Sequence, residues 1–158
     1  MDTFVNYNFN ATNIRIAFAR LGAELARRGE KEKAVEVLDY GLEQMPVSQF
    51  QYTYQYLPYI RAYYEAGATE KGDALFDSYA KNLEEYVDYF LSFPDNRQYL
   101  IENQFADKLT ALAELHRIAE NYGRTDRAAR ILNLFDWLFG PEGQTDYTEY
   151  EQTVLPTE

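Results

Sequence analysis

Cysteine is absent from this chain of 158 residues, and histidine occurs once, as His116. Without cysteine the protein forms no disulfide, carries no thiolate nucleophile and offers no cysteine ligand to zinc. A single histidine also leaves no second imidazole for a metal-binding pair. In its helical context, a lone histidine is more typical of a hydrogen-bonded structural residue than of a catalyst.

Basic residues are outnumbered, since 15 Lys and Arg oppose 26 Asp and Glu, for a net charge of −11. Nucleic acids and anionic membranes bind basic surfaces, so this balance argues against both as partners. No run of 18 apolar residues occurs, and we therefore expect no membrane insertion by this chain. The first residues lack a basic region followed by an apolar run, so no signal peptide is predicted.

Hydrophobic residues make up 46% of the chain, which is enough to form a core. A chain of this length buries about 68–70% of its unfolded surface and is suited to one domain. We expect a helical domain at residues 11–140. The flanking parts are predicted to be an N-terminal extension at 1–10 and an acidic tail at 141–158.

Residues 13–46 follow the pattern of a tetratricopeptide repeat. This pattern combines bulky residues and a Leu-Gly pair in a first helix, a turn glycine, small and bulky residues in a second helix, and a closing proline. The chain fills these positions with Phe18, Leu21, Gly22, Leu25, Gly29, Ala34, Leu38, Gly41 and Pro46. The turn glycine, Gly29, suits a positive φ at the end of the first helix.

The same template fits two later segments with lower fidelity. The second unit uses Tyr56, Tyr59, Tyr63, Gly67, Gly72, Phe76 and Tyr79. The third uses Leu112, Leu115, Ala119, Gly123, Ala128, Leu132 and Phe135. Gly67 follows Gly29 at nearly the standard interval of about 34 residues, whereas Gly123 lies much further on.

The predicted fold class is therefore all-α: three antiparallel helix pairs in a tetratricopeptide-like right-handed superhelix with irregular spacing. The helix pairs are expected at 11–28 with 31–45, 49–66 with 70–92, and 97–122 with 125–139.

Residues 49–64, QFQYTYQYLPYIRAYY, fit two kinds of secondary structure. Aromatic and polar residues alternate at first, as in a half-buried strand, yet later aromatics fall on one helical face. The helical neighbours and a Ser48–Gln51 capping box favour a helix. Pro58 then requires either a helix that starts late, near Tyr54, or a kink.

The helical register divides the tyrosines of this stretch into two sets. Tyr56, Tyr59 and Tyr63 are predicted to be buried in helix packing. Tyr54, Arg61 and Tyr64 are predicted to be at least partly open to a partner.

Catalytic motifs are not found in the sequence. There is no nucleophile elbow, phosphate-binding glycine loop or calcium loop, and the abundant carboxylates do not form the Glu-x-x-His pairs of di-iron bundles. Their simplest interpretation is solvated helix faces. We therefore predict no catalytic residues, no metal site and no cofactor.

Arginine and tyrosine instead indicate a binding surface. In tetratricopeptide folds the first helix of each pair lines a concave groove. The repeat register places these candidates there: Arg20, Arg27, Tyr54, Arg61, Tyr64, Arg117 and Asn121. Tyrosine and arginine are frequent interface anchors, and arginine binds carboxylates through two hydrogen bonds.

This pattern leaves alternatives open. The arginines can instead form internal salt bridges with Glu24, Glu65 or Glu120, while the tyrosines pack in the core. If the groove is open, a protein or peptide is the expected partner. The alternative is a carbohydrate- or acceptor-binding module, in which tyrosines stack on a glycan.

Two blocks together resemble a known family. They are NIRIAFARLGAELARRGEKEKAVEVLDYGLEQMP at 13–46 and YQYLPYIRAYYEAGATEKGDALFDSYAKNLEEYVDYFLSF at 54–93. Residues 10–139 are similar to the soluble C-terminal region of large bacterial membrane proteins of unknown function that are related to protein O-mannosyltransferases. Members of that family begin with a multi-spanning part that resembles a glycosyltransferase.

The resemblance implies a non-catalytic accessory domain for protein interaction, attached to a membrane enzyme. Its own membrane portion then becomes a further candidate partner. The family's membrane part is not in this sequence, so none of its catalytic positions maps here. The implied location is the extracytoplasmic side of the bacterial inner membrane within a longer protein. A standalone adaptor would be cytoplasmic.

Overall fold

A computed structural model describes residues 3–46, 54–92 and 102–140, and the secondary structure there consists of α-helices joined by turns. These ranges contain no strand, which confirms the predicted all-α class. The helices are α1 (Thr3–Arg27), α2 (Lys31–Gln44), α3 (Tyr56–Glu65), α4 (Thr69–Ser92), α5 (Glu102–Asn121) and α6 (Thr125–Phe139). Within those ranges no helix has the length and apolar content needed to cross a membrane.

The chain divides into two compact units, Met1–Ala111 and Leu112–Glu158, and the boundary between them falls within α5. In the first unit α1 packs on α2 and on α3, and α3 packs on α2 and on α4. The second unit contains the last part of α5, a short turn and α6.

Three turns between helices share one backbone design. In the first, the Gly29 N–H donates to the Ala26 carbonyl and the Glu30 N–H to the Leu25 carbonyl, both at 3.0 Å. The turns at Gly67 and Gly123 repeat both bonds at 2.7 to 3.1 Å. The three glycines have φ of 83°, 79° and 66°. This is the Schellman motif, in which a left-handed residue satisfies the last carbonyls of a helix, and the predicted turn glycines are confirmed.

The start of each following helix is also repeated. A small buried residue stands five positions after each turn glycine: Ala34, Gly72 and Ala128. In each case its N–H donates at 3.0 Å to the carbonyl of the residue that follows the glycine. The helix after each turn thus begins in the same way, with a small residue buried near its start.

Several helix ends differ from the sequence-based bounds. Helix α1 begins at Thr3 rather than at residue 11, so residues 3–10 of the expected extension are helical. Helix α5 is described from Glu102, and the predicted residues 97–101 lie outside the described ranges. The acidic tail at 141–158 also lies outside them.

Helix α3 starts late, at Tyr56, rather than at residue 49. Pro58 then occupies the first turn, where its missing N–H costs no helical hydrogen bond. Pro58 left two alternatives open, a late start and a kink, and the structure shows the late start, two residues after Tyr54. The Ser48–Gln51 capping box lies outside the described residues.

The tyrosines of α3 form the contact with the first two helices. Tyr56, Tyr59 and Tyr63 are all buried, as predicted. The Tyr63 hydroxyl donates to Asp39 Oδ1 of α2 at 2.8 Å. The Tyr59 hydroxyl lies against Gly41, where a Cβ would collide with it. Gly41 therefore provides the space that lets α3 approach α2.

Burial controls the chemistry of these hydroxyls. Removal from water raises the pKa of Tyr59, Tyr63 and Tyr79 above the ordinary tyrosine value. The hydrogen bond to Asp39 raises the pKa of Tyr63 further, because that bond requires the proton. The first unit is thus built around tyrosines that must remain neutral.

Arg15 of α1 is a charged residue in this core, with 3% of its surface exposed. Its Nη2 donates to the Met45 carbonyl at 3.0 Å. Its guanidinium carbon also lies 4.5 Å from the centre of the Tyr56 ring. Met45 directly follows α2, where the helix dipole is negative, so the arginine stabilises that end while it stacks on an aromatic face.

The first turn allows a test of its backbone design. We expect Gly29→Ala to lower the free energy of unfolding by about 1–2 kcal/mol, because an alanine resists positive φ. A Cβ at this position meets nothing within 4 Å, so steric crowding does not contribute. Urea denaturation measures the change. Gly29→Asn is the matched control and should lose less, since asparagine tolerates the left-handed conformation. Equal losses for the two variants would contradict this explanation.

Stability should also fall in alkali. A raised pKa in the folded state means that the tyrosines stabilise the fold fully below their unfolded value of about 10 and lose this contribution above it. Each buried tyrosine adds a slope of up to about 1.4 kcal/mol per pH unit. Urea denaturation at a series of pH values between about 8 and 11 measures the fall in the free energy of unfolding. Tyr79→Phe should reduce the slope, whereas exposed Tyr54→Phe should not. A pH-independent stability across this range would refute the prediction.

Candidate partner-binding surface

The predicted groove residues are divided between the two compact units. Arg20, Arg27, Tyr54, Arg61 and Tyr64 belong to the first, and Arg117 and Asn121 belong to the second. Each group is described within its own unit.

On α1, both candidate arginines are exposed. Arg27 Nη2 lies 2.9 Å from Glu24 Oε2, and Arg28 Nε lies 2.8 Å from Glu24 Oε1. Glu24 therefore holds two arginines at the end of the helix, as the internal salt-bridge alternative predicts for Arg27. Exposed pairs of this kind are weak, at about 0–1 kcal/mol, and a carboxylate ligand can compete with them.

At α3, the candidates have three different environments. Tyr54 precedes the helix and has 63% of its surface exposed, consistent with the expected open position. Arg61 is half-buried and makes interactions within the protein. Of these two residues, Tyr54 presents an exposed aromatic ring, whereas Arg61 is engaged within the protein.

The prediction that Tyr64 is open to a partner is wrong, since only 8% of its surface is exposed. Its hydroxyl donates to Asp73 Oδ1 at 2.9 Å. Its ring lies beside Gly72, where a Cβ would come within 2.6 Å of Tyr64 Cε1. The missing side chain at position 72 makes room for the ring against α4, so Tyr64 packs in the core instead of facing a partner.

In the second unit, Arg117 and Asn121 are both exposed. Arg117 binds Glu114 through two hydrogen bonds of 2.9 Å, from Nε and from Nη2. The internal partner is therefore Glu114 rather than Glu120. Glu120 Oε2 instead lies 3.8 Å from Nδ1 of His116, whose side chain is mostly buried.

Asp39 joins three helices of the first unit. It accepts the Tyr63 hydroxyl of α3 and forms an ion pair with Lys71 of α4. Asp39 stands on α2, so one carboxylate connects α2, α3 and α4. The sequence carried no signal for this group, because its members are far apart along the chain.

A second aromatic surface, which was not predicted from the sequence, lies where α4 and α5 meet in the first unit. The Tyr86 hydroxyl donates to Gln104 Oε1 at 3.0 Å, and Lys108 Nζ lies 5.3 Å from the Tyr86 ring centre. The half-exposed Tyr89 ring is 6.0 Å from that of Tyr86. Burial lowers the pKa of Lys108. The spacing of three residues between the tyrosines on α4 could have identified the pair.

No candidate metal-binding site is found in the part of the chain that the structure describes. No group of three or more His, Asp or Glu side chains is placed there to hold an ion.

Tyr64 of α3 and Tyr54, which precedes that helix, should respond differently to truncation. Tyr64→Ala should lower the free energy of unfolding by about 3–5 kcal/mol, because it leaves a cavity in the core. Tyr54→Ala is the matched exposed control and should change it by less than about 0.5 kcal/mol. Urea denaturation of both variants compares them. Similar losses at the two positions would contradict the assignment of Tyr64 to the core.

Comparisons with known proteins were made against family models, curated proteins and solved structures. No family model, no curated protein and no solved structure matches the chain.

Proposed function

We propose that this chain is a non-catalytic helical-repeat domain for protein interaction, with its helices arranged in a tetratricopeptide-like right-handed superhelix. The observation that carries the proposal is the turn repeated at Gly29, Gly67 and Gly123, with the same two hydrogen bonds and the same small residue five positions later. Equivalent turns imply equivalent helix pairs, and stacking of such pairs generates extended binding surfaces.

In this proposal the partner binds along the first helix of each pair. Arg20 and Tyr54 are the strongest candidates because both are exposed. Arg61 is a weaker candidate than these two, because it is half-buried and already makes interactions inside the protein. The combination of a tyrosine ring and guanidinium groups suits a peptide with carboxylate side chains or a free C-terminal carboxylate.

Net charge gives such a site its selectivity. The chain carries −11, so most of its surface repels an acidic peptide. Productive contact is then confined to the few exposed cations of the groove. Arg27 joins them once the ligand replaces its carboxylate partner, Glu24.

The family resemblance of the sequence implies that this domain belongs to a longer protein. We propose that it is the soluble accessory portion of a bacterial membrane protein that resembles a glycosyltransferase, on the extracytoplasmic side of the inner membrane. Its partner is then an acceptor protein or the membrane portion itself. A carbohydrate-binding role is less favoured, because burial of Tyr64 removes one of the two rings proposed to stack on sugar.

A peptide array of acidic sequences and free C-terminal carboxylates tests this function. We expect micromolar binding, and a dissociation constant at least about tenfold weaker in Arg20→Glu plus Arg61→Glu, because each change replaces a cation by an anion at the site. Fluorescence anisotropy of a labelled hit peptide measures the affinity.

Arg28→Glu is the matched control, since it reverses an exposed arginine in the turn directly after α1 that was not predicted to face the groove. It should leave peptide affinity unchanged. If Arg28→Glu weakens binding as much as the double variant, the effect is one of overall charge and the groove is wrong. A glycan-array signal lost in Tyr54→Ala, without peptide binding, would support the carbohydrate alternative.

A further inference from the structure

The only tryptophan of the chain is exposed on the last helix, α6. Trp137 has 62% of its surface open, whereas Phe135, two residues earlier, is buried on another side of the helix. Arg130 and Asn133 precede Trp137 by seven and four residues, so the three side chains share one helical side. We call this side the α6 face and define it by Arg130, Asn133 and Trp137.

The repeated turns identify the corresponding surface on α2. Asn133 stands ten residues after its turn glycine, and Asp39 of α2 stands ten residues after its own. Trp137 stands fourteen residues after the same glycine, and Glu43 has that position on α2. The α6 face therefore has the register of the α2 surface around Asp39.

On α2, that surface is covered by the part of the chain that follows the helix. Tyr63 of α3 donates its hydroxyl to Asp39 Oδ1 at 2.8 Å. Burial raises the pKa of Tyr63, and the nearby charge of Glu43 raises it further. Helix α4 shows the same order, since Phe105 of α5 stacks on Phe90 of α4 at 3.7 Å between ring centres. In the first unit, the second helix of a pair is thus covered by the chain next in sequence.

The sequence that follows α6 is long enough to cover the α6 face. It consists of residues 141–158, which lie outside the described ranges. An extended chain spans about 3.3 Å per residue, whereas a helix rises only about 1.5 Å per residue. Helix α6 has 15 residues, so half of the following segment can reach any of them.

The composition of this segment also complements the face. It has no basic residue and carries several carboxylates, at Glu142, Asp146, Glu149, Glu151 and Glu158. Arg130 is half-buried and makes interactions within the protein, but a guanidinium has five N–H donors and can bind a carboxylate in addition. The segment also contains apolar side chains that can cover an indole ring: Tyr147, Tyr150, Val154 and Leu155.

We propose that residues 141–158 bind to the α6 face of their own chain, with their apolar side chains on Trp137 and a carboxylate on Arg130. Attachment to α6 gives the segment an effective concentration of about millimolar, so individually weak contacts are sufficient. The acidic segment then supplies the polar outer surface that the terminal repeat of a helical array requires.

Acrylamide quenching of tryptophan fluorescence in the full chain tests this contact, because Trp137 is the only tryptophan. The variant Tyr147→Ser plus Tyr150→Ser plus Leu155→Ser should raise the quenching constant about twofold and shift the emission to longer wavelength, because the indole returns to water. Leu155→Ser alone should give a smaller rise. Circular dichroism verifies that the helix content is unchanged.

The matched control is Thr145→Ser plus Thr148→Ser plus Thr153→Ser, which changes three polar residues of the same segment. It should be quenched as the wild type is. Equal quenching of the wild type and the apolar-to-serine variant overturns the proposal, as does an equal rise in the threonine control. Protection that is lost on dilution would assign the contact to a second copy and would also overturn it.

Salt tests the part of Arg130 in the contact. At about 1 M salt, where charges are screened beyond about 3 Å, quenching should rise in the wild type and not in the apolar-to-serine variant. Quenching of the wild type that is independent of salt contradicts the pairing with Arg130. Peptide affinity does not enter either measurement, so failure of this contact and failure of peptide binding are distinguishable.

Discussion

The close approach of α3 to α2 is the contact on which the first unit depends. It is possible because Gly41 has no side chain at the point where the Tyr59 hydroxyl arrives. A Cβ there would also lie 2.9 Å from Cβ of Phe18, so the space is limited from α1 as well. One residue without a side chain therefore sets how three helices pack. The bond from Tyr63 to Asp39 then fixes the rotation of α3, and Lys71 joins α4 to the same carboxylate.

Much of this architecture follows from local signals in the sequence. A turn glycine with positive φ is a local backbone requirement, so the three turns were predictable from the residue pattern around each glycine. The burial of Tyr56, Tyr59 and Tyr63 was predictable for a similar reason, since helical periodicity places them on one side. The late start of α3 was one of the two alternatives that Pro58 allowed, the other being a kink.

Features that depend on distant residues were not predictable. Tyr64 is buried because Gly72, on the next helix, leaves room for its ring, and no pattern within α3 reveals this. Arg117 has the spacing for either Glu114 or Glu120, and only side-chain geometry selects Glu114. Candidate site residues are therefore less predictable than helices, because exposure and pairing arise from tertiary packing rather than from periodicity.

Arg15 has a consequence for the sequence variation that this fold accepts. Its guanidinium is planar, stacks on Tyr56 and donates to the Met45 carbonyl in one geometry. Lysine has the charge but lacks the planar group, and leucine has the volume but leaves the carbonyl without its donor. Position 15 lies outside the repeat signature, yet neither exchange that looks conservative is suitable there. Divergent sequences of this fold would therefore keep arginine at a place where a comparison of repeats alone expects free variation.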